Sequence, residues 1–286
     1  MITIRPLTAH GLGAVVTDVD VAHPLDEPTL DLLVETLYTA GVVLLPGQRL
    51  TPESMRAFAE ALGVPESVRP AEHRLPGMEH IRLQSTIAGS GVDGGGMYWH
   101  ADGSWQPVPT AATLLGCIVA PEGGGTTSFV DGRAVHRALA PELQVEVGAL
   151  AGFYPVRETM AADHMASGID DPDMLASLKD VHHPLVRPHP ATGEAALILN
   201  QMMLAKIADY DRDRGAALLD ELYATVESTA FTYVHEWTDG DLLVWDNRIV
   251  MHRAQPVPPE ATKVTWRITL HSIERTVAAG GTGKGA

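Results

Sequence analysis

The chain has 286 residues, of which 45% are hydrophobic, so it is long enough to bury one large core. Its 36 acidic and 20 basic residues give a formal net charge of −16, which disfavours nucleic acid and anionic membrane surfaces as partners. A single cysteine, Cys117, excludes an intrachain disulfide and a cysteine-based zinc site.

The first part of the chain predicts helices that alternate with strands. Between residues 26 and 41, apolar side chains recur at helical spacing, and Gly41 provides a stop. The apolar run Val42–Leu45 then predicts a short buried strand. A second amphipathic helix begins at Thr51-Pro52 and ends at Gly63.

From about residue 80, short apolar or alternating runs are separated by turn residues, which favours an antiparallel sandwich or barrel. Two helices interrupt this pattern, near Pro141–Val147 and Arg212–Val226. The predicted strands are Thr113–Val119, Ser128–Val130, Ala196–Leu199, Phe231–Trp237, Leu242–Trp245 and Val264–Leu270.

We expect one domain over residues 1–286, with a Gly-rich tail at 278–286 that is disordered. The N-terminus lacks the charged head and long apolar stretch of a signal peptide. No window approaches the ~20 apolar residues that a membrane span needs. The expected location is therefore the cytoplasm, without membrane contact.

The first chemical signal is Trp99-His100-Ala101-Asp102. If this segment is a strand, His100 and Asp102 point to the same face and can reach one ion. An imidazole and a carboxylate are two thirds of the facial triad of non-haem Fe(II) oxygenases. The motif is short, and a chain with 13 histidines can contain it by chance.

A second signal lies near the C-terminus, where His252 is followed by Arg267 on the apolar run Val264–Leu270. A guanidinium on a buried strand needs an anionic partner, because an unpaired buried charge is costly. The carboxylate of a dicarboxylic cosubstrate would match its fork of donors. A structural salt bridge with an acidic side chain is the alternative.

Together, five separate pieces of sequence resemble the taurine dioxygenase / 2,4-D dioxygenase family of Fe(II)- and 2-oxoglutarate-dependent enzymes. The resemblance covers roughly residues 3–275, and the order and spacing of the pieces make it specific. The pieces are Trp99-His100-Ala101-Asp102, Pro121-Glu122-Gly123-Gly124-Gly125-Thr126-Thr127, His183-Pro184-Leu185-Val186-Arg187, Trp245-Asp246-Asn247-Arg248 with His252, and Arg267.

The resemblance implies a mainly β fold with flanking helices, built on a double-stranded β-helix (jelly-roll, cupin-like) core. It also implies Fe(II) as the metal, 2-oxoglutarate and O2 as cosubstrates, and a small acidic or zwitterionic metabolite as substrate, with succinate and CO2 released. A homodimer or homotetramer is common in the family. By the resemblance, the metal ligands are His100, Asp102 and His252.

The resemblance further implies that Arg267 binds the distal carboxylate of 2-oxoglutarate, assisted by the hydroxyl of Thr127, with Thr126 as the alternative. The family often has a second arginine four residues before Arg267, and here that position is Lys263. Lysine keeps the charge and loses the bidentate geometry.

Two residues are candidates for substrate contact. Tyr98 precedes the His-x-Asp segment, and a core or rim aromatic is its alternative role. Arg248 can pair with a substrate carboxylate or, structurally, with the nearby Asp246.

Two other functions use the same residues. One is a non-catalytic, cupin-like protein that binds a metal or 2-oxoglutarate. The other is a zinc hydrolase, which would leave Arg267 without an anion to bind.

Overall fold

The computed structural model describes residues 1–92, 95–162 and 172–275. The tail at 278–286, predicted to be disordered, lies outside these residues. None of the helices in these residues combines the length and the apolar character that a membrane span requires.

Seven α-helices occur in the described part of the chain. They are α1 (Glu27–Ala40), α2 (Pro52–Leu62), α3 (Gly132–Ala138), α4 (Pro141–Gly148), α5 (Val156–Ala162), α6 (Pro172–Ser177) and α7 (Arg212–Val226). Short 3-10 helices cover Ala71–His73 and Thr229–Phe231.

Sixteen strands make up the rest of the regular structure in the same described residues. They are β1 (Thr3–Pro6), β2 (Ala14–Thr17), β3 (Val42–Leu45), β4 (Gly63–Pro65), β5 (Arg82–Ser85), β6 (Ala112–Val119), β7 (Thr127–Asp131), β8 (Ala151–Tyr154), β9 (Val181–Pro184), β10 (Val186–Pro188), β11 (Ala195–Leu197), β12 (Lys206–Ile207), β13 (Thr232–His235), β14 (Leu242–Asp246), β15 (Val250–Ala254) and β16 (Val264–Ile273).

The first two helices begin and end where side-chain chemistry permits. The carboxylate of Asp26 accepts the backbone N–H of Thr29 at 3.0 Å, and Gly41 ends α1 at a φ of 75°. Thr51 and Ser54 form a reciprocal capping box at the start of α2. A cap of this kind stabilises a helix by about 0.5–2 kcal/mol.

An eight-stranded sheet dominates the fold. Its strand order is β1-β2-β3-β14-β6-β16-β4, and β5 also pairs with β16. The strands β13, β7 and β15 form a separate three-stranded sheet in that order. The strands β12, β8 and β9 form a third sheet, and β10 pairs with β11. Because β6, β14 and β16 come from distant parts of the sequence, neighbouring strands bring distant residues together.

The main sheet is covered on both faces. Side chains alternate along its strands, so Val244 and Leu114 pack with the apolar faces of α1 and α2. Trp245 and Leu115 point the other way and share a core with Phe129 of the three-stranded sheet β13-β7-β15. The functional groups described below lie between these two sheets.

The predicted elements are largely confirmed. Both N-terminal helices, the strand at Val42–Leu45 and the helix at Arg212–Val226 occur where the pattern placed them. The prediction missed several short elements, among them β15 and α3, whose runs carry no clear periodicity. The chain is sheet-rich with several helices, as the mainly β prediction with flanking helices required.

Candidate metal centre and its cavity

The site begins with a pairing of two histidines that are far apart in sequence. His100 and His252 lie opposite each other on antiparallel segments. They exchange both backbone hydrogen bonds, at 3.0 Å and 2.7 Å. Since opposed residues of a sheet project to the same face, the two rings meet, with centroids 4.2 Å apart.

The segment from His100 to Asp102 is not a regular strand, although the sequence-based prediction assumed that both residues lie on one strand. Only His100 makes a β-bridge, and Asp102 opens a turn in which Gly103 has a φ of 59°. The turn nevertheless brings the carboxylate beside both rings. Asp102 Oδ1 lies 3.7 Å from His100 Nε2, and Asp102 Oδ2 lies 3.8 Å from His252 Nε2.

Among the described residues, these three form the one group of histidine and acidic side chains arranged to hold a metal ion. One ligand atom from each lies within 4.8 Å of the others. Two imidazoles and a carboxylate suit a divalent transition metal and leave coordination positions for other ligands. The donor set therefore fits the metal centre expected from the sequence.

A buried network of hydrogen bonds holds the carboxylate in place. The hydroxyl of Thr113 donates to Asp102 Oδ2 at 2.7 Å, and the backbone N–H of Asp102 donates to Asn247 Oδ1 at 3.1 Å. The Asn247 amide donates to Thr113 Oγ1 at 2.9 Å. The indole N–H of Trp245 donates to Asn247 Oδ1 at 3.0 Å. Outer contacts of this kind orient metal ligands and tune their affinity.

The histidine nitrogens are disposed for ligation through Nε2. His100 Nδ1 lies 2.8 Å from the carbonyl oxygen of Tyr98, which accepts a hydrogen bond if Nδ1 carries the proton. That tautomer leaves a lone pair on His100 Nε2, which faces Asp102. His252 Nδ1 is buried and has no hydrogen-bond partner among the described residues.

The protonation states also suit a metal. Burial lowers the pKa of His252 to about 3, with a further contribution from His100. Burial alone would raise the pKa of Asp102, but Arg267 and the two imidazoles hold it well below its usual value. The site thus presents neutral imidazoles and an ionised carboxylate, which are the forms that bind metal.

A cavity of about 1130 Å³ opens from this centre. The predicted site residues Tyr98, Thr127, Lys263 and Arg267 all line it, together with the three candidate ligands. A volume of this size exceeds what a drug-sized ligand needs, so two small molecules fit in it together.

Arg267 reaches toward the centre of this cavity. One of its terminal nitrogens (NH2) lies 3.4 Å from Asp102 Oδ1, and its side chain is 25% exposed. The salt bridge with an acidic side chain, which was the alternative to a cosubstrate carboxylate, is therefore present, and its acidic partner is the candidate metal ligand itself. A metal ion bound by Asp102 would replace the guanidinium as the partner of this carboxylate. The guanidinium would then be available to bind another carboxylate.

Thr127 and Lys263 lie at a neighbouring part of the wall, next to Trp237. The Trp237 indole N–H donates to Thr127 Oγ1 at 3.1 Å, which leaves the hydroxyl hydrogen free to bind an anion. Lys263 Nζ donates to the carbonyl oxygen of Gly125 at 2.6 Å and lies 5.0 Å from the centroid of the Trp237 ring. Burial lowers the pKa of Lys263 to about 8.

Arg248 does not belong to this cavity, so its proposed contact with substrate needs correction. Its Nε donates to the buried Asp246 at 2.8 Å, and its guanidinium lies 5.2 Å from the Tyr38 ring. Asp246 is also 3.1 Å from His189 Nε2. The structural ion pair, which was the alternative, is therefore present, because a fully buried carboxylate requires a charged partner.

Sequence reasoning missed Thr113, Asn247 and Arg82. Asn247 belongs to a piece of the resemblance, but nothing local showed that its amide holds Asp102. Thr113 lies inside an apolar run, where a buried polar residue is a signal that could have been noticed. Arg82 opens a strand of the cavity wall, and an arginine on a half-buried strand was likewise a usable signal.

Comparisons with known proteins show which family the chain resembles. A family model described as "Taurine catabolism dioxygenase TauD, TfdA family" matches residues 3–269. The (S)-phenoxypropionate/alpha-ketoglutarate-dioxygenase of Sphingobium herbicidovorans is 31% identical over 278 residues, which cover 92% of each chain.

Two solved structures extend the comparison. A taurine dioxygenase from Burkholderia xenovorans has a TM-score of 0.80 and 26% identity, over 94% of this chain and 89% of its own. A structure described as AAD-2 in complex with Mn(II) and N-oxalylglycine has a TM-score of 0.78 and 27% identity. That match covers 97% of this chain and 100% of the other.

Proposed function

This chain belongs to the taurine catabolism dioxygenase TauD, TfdA family and is a 2-oxoglutarate-dependent dioxygenase; we propose that its metal is Fe(II), held by His100, Asp102 and His252. The observation that carries the proposal is the convergence of these three side chains in a cavity whose wall also carries Arg267. Bound Fe(II) would activate O2 and couple its reduction to the oxidation of 2-oxoglutarate and substrate.

In the overall reaction, one molecule of O2 oxidises both the substrate and 2-oxoglutarate. One substrate C–H bond, O2 and 2-oxoglutarate give an alcohol, succinate and CO2, with one oxygen atom in the alcohol and the other in succinate. An unstable alcohol breaks down and the substrate is cleaved. Where a second hydrogen is removed in place of oxygen transfer, an alkene forms and that oxygen atom leaves as water. The protein supplies ligand geometry, orientation of both organic molecules and a site shielded from water.

We assign the distal carboxylate of 2-oxoglutarate to Arg267, with Thr127 donating a hydroxyl hydrogen bond and Lys263 adding positive charge. The guanidinium lies close to the metal-binding carboxylate, so a short dicarboxylate can reach both the guanidinium and a metal ion held by Asp102. The similarity to a structure that contains N-oxalylglycine supports this, because N-oxalylglycine has the same chain length and carboxylate spacing as 2-oxoglutarate.

The proposed substrate is a small organic acid. A relative at 31% identity is named for phenoxypropionate, and the cavity is large enough for 2-oxoglutarate and a molecule of that size. Tyr98 lines the cavity with its ring centroid 5.0 Å from that of His100, a position suited to packing against a substrate next to the metal.

For the architecture, we propose a single dioxygenase domain with a double-stranded β-helix core. The main sheet facing the small sheet β13-β7-β15 around the metal centre supports that assignment. A homodimer or homotetramer stays a prediction, which sedimentation equilibrium would check.

In the deciding experiment, the purified apoprotein is loaded anaerobically with Fe(II), and the binding of 2-oxoglutarate is measured by calorimetry. Oxygen is then admitted with candidate acids, and succinate is quantified. We expect 2-oxoglutarate binding that requires metal, and succinate release. The variants H252A and R267M should lose metal binding and cosubstrate binding, respectively.

Each alternative function has a different outcome in this experiment. A non-catalytic protein would bind metal and 2-oxoglutarate, yet release no succinate with any acid. A zinc hydrolase would bind metal, yet would show no metal-dependent affinity for 2-oxoglutarate. Either result would overturn the dioxygenase assignment.

A further inference from the structure

Two arginines face each other across neighbouring strands of the cavity wall. Arg82 on β5 is the antiparallel partner of Arg267 on β16. Both side chains line the cavity, so they project to the same side of the sheet. Directly opposed residues have Cβ atoms about 4.5–5.5 Å apart, and like charges at this spacing repel. The pair of guanidinium groups therefore destabilises the fold unless an anion binds between them.

Arg82 has no such anion within the protein itself. Its Nε is buried without a hydrogen-bond partner, and its side chain forms no ion pair among the residues that the structure describes. Burial lowers the pKa of Arg82 to about 10, and the charge of Arg267 contributes to this. Asp102 is the acidic group that favours its charged form, but Arg267 contacts that carboxylate and a metal would occupy it.

The charges along the cavity wall show the same imbalance. Four cationic side chains line the cavity against two carboxylates, namely Arg69, Arg82, Lys263 and Arg267 against Glu66 and Asp102. A divalent metal and dianionic 2-oxoglutarate cancel each other and leave this excess in place. The oxygens of Glu66 are engaged by the hydroxyls of Thr110 and Thr269, at 2.9 Å and 2.8 Å.

We propose that Arg82 binds the anionic group of the substrate, a carboxylate or a comparable oxyanion, and so selects anionic over neutral substrates. The inference rests on the proposed function, in which the distal carboxylate of 2-oxoglutarate takes Arg267. The guanidinium fork of Arg82 matches a carboxylate bidentately.

The strand order separates the roles of the two arginines. The β6 strand carries Thr113, which holds the metal-binding carboxylate, and β16 lies between β6 and β5. Arg82 is therefore one strand spacing, about 4.8 Å, further from β6 than Arg267 is. A substrate whose carboxylate binds Arg82 can place a carbon atom near the metal, while the carboxylate occupies a different position from the distal carboxylate of 2-oxoglutarate at Arg267.

The test uses the full chain loaded with Mn(II) and saturated with 2-oxoglutarate, so that binding is measured without turnover. Calorimetry then compares matched pairs of probes, namely phenoxyacetate with phenoxyacetamide, hexanoate with hexanamide, and benzenesulfonate with benzenesulfonamide. In the wild type, we expect at least one anion to bind about 10- to 100-fold more tightly than its amide, the range expected for a charge-assisted hydrogen bond.

The variants assign that preference to one residue. Arg82→Met should abolish it, while most of the affinity for 2-oxoglutarate is retained, since Arg267, Thr127 and Lys263 are unchanged. Arg82→Lys should keep part of it, because the charge is retained without the fork. Arg56→Met is the matched control, since Arg56 lies on α2 in an exposed pair with Glu60 and should leave the preference unchanged.

Several outcomes would overturn the inference. The first is that the wild type shows no preference for anions, and the second is that the preference survives in Arg82→Met. The third is that Arg82→Met loses its affinity for 2-oxoglutarate and not its preference for anions. Cosubstrate binding is measured before any probe is added. If 2-oxoglutarate does not bind to the Mn(II)-loaded wild type, the proposed function fails at that earlier step, and this inference fails with it. Arg82→Met should melt at the wild-type temperature or above, because it removes a repulsive pair.

Discussion

Thr113 donates its hydroxyl hydrogen to Asp102 Oδ2 at 2.7 Å, in a contact that is closed to solvent on both sides. We predict that Thr113→Val, which keeps the shape, lowers metal affinity by about 10- to 100-fold, as expected for loss of an outer contact to a metal ligand. A chelator competition titration measures this. Thr36→Val is the matched control, since Thr36 is also buried but bonds a carbonyl within α1. Equal metal affinity in both variants would contradict the prediction.

Lys263 should make cosubstrate binding dependent on pH. Burial lowers its pKa in the folded apoprotein from 10.5 to about 8, so the ammonium loses its proton in the folded state as pH rises through 8. If the ammonium attracts 2-oxoglutarate, affinity falls above pH 8, by at most about tenfold per pH unit. Calorimetry from pH 7 to pH 9.5 measures this, and Lys263→Met should bind more weakly with a flat profile. A wild-type profile that is equally flat would exclude the role of the ammonium.

The lowered pKa of Lys263 has the opposite effect on the free energy of unfolding, which should rise with pH. Between pH 8 and 10.5 the unfolded chain holds a proton on Lys263 that the folded apoprotein has lost. The contribution of this group to folding therefore rises with pH across that window, as the cost of burying a charged ammonium disappears. Affinity and stability should thus change in opposite directions.

Gly103 should be indispensable for the position of Asp102. Its φ is 59°, and a Cβ there would lie 2.1 Å from Thr110 Oγ1. We predict that Gly103→Ala weakens metal binding and destabilises the fold by more than the roughly 1–2 kcal/mol cost of a left-handed backbone. Gly123→Ala is the control, because Gly123 has a φ of 70° with open space around it. It should lose only the backbone cost and bind metal normally, as urea unfolding and metal titration would show.

Arg248 should matter for folding and not for ligand binding. Removing it by Arg248→Met leaves the carboxylate of Asp246 buried without its main counter-charge, with an expected loss of about 3–5 kcal/mol in the free energy of unfolding. The comparison is Arg214→Met, which breaks an exposed pair with Glu146 and should lose less than about 1 kcal/mol. Urea unfolding measures both. A normal stability for Arg248→Met, with impaired acid binding, would restore Arg248 as a substrate contact.

The local structure was readable from the sequence where short-range forces decide it. The helix that ends at Gly41 followed from apolar periodicity and a residue tolerant of positive φ, and the strand at Val42–Leu45 from its apolar run. The candidate ligands followed from the resemblance of separate sequence pieces to a known family, and their imidazole and carboxylate groups are the donors that such a metal requires.

The tertiary structure alone decided which distant residues meet. His100 and His252 oppose each other, and Arg82 opposes Arg267, because of the register between strands that are remote in the chain. The same packing turned Arg248 away from the cavity and onto Asp246. Register between remote strands depends on burial and hydrogen bonding summed over whole sheets, and no local pattern encodes that sum. The sequence by itself therefore determined which groups are available for chemistry, and the pairing of strands determined which of them share one cavity.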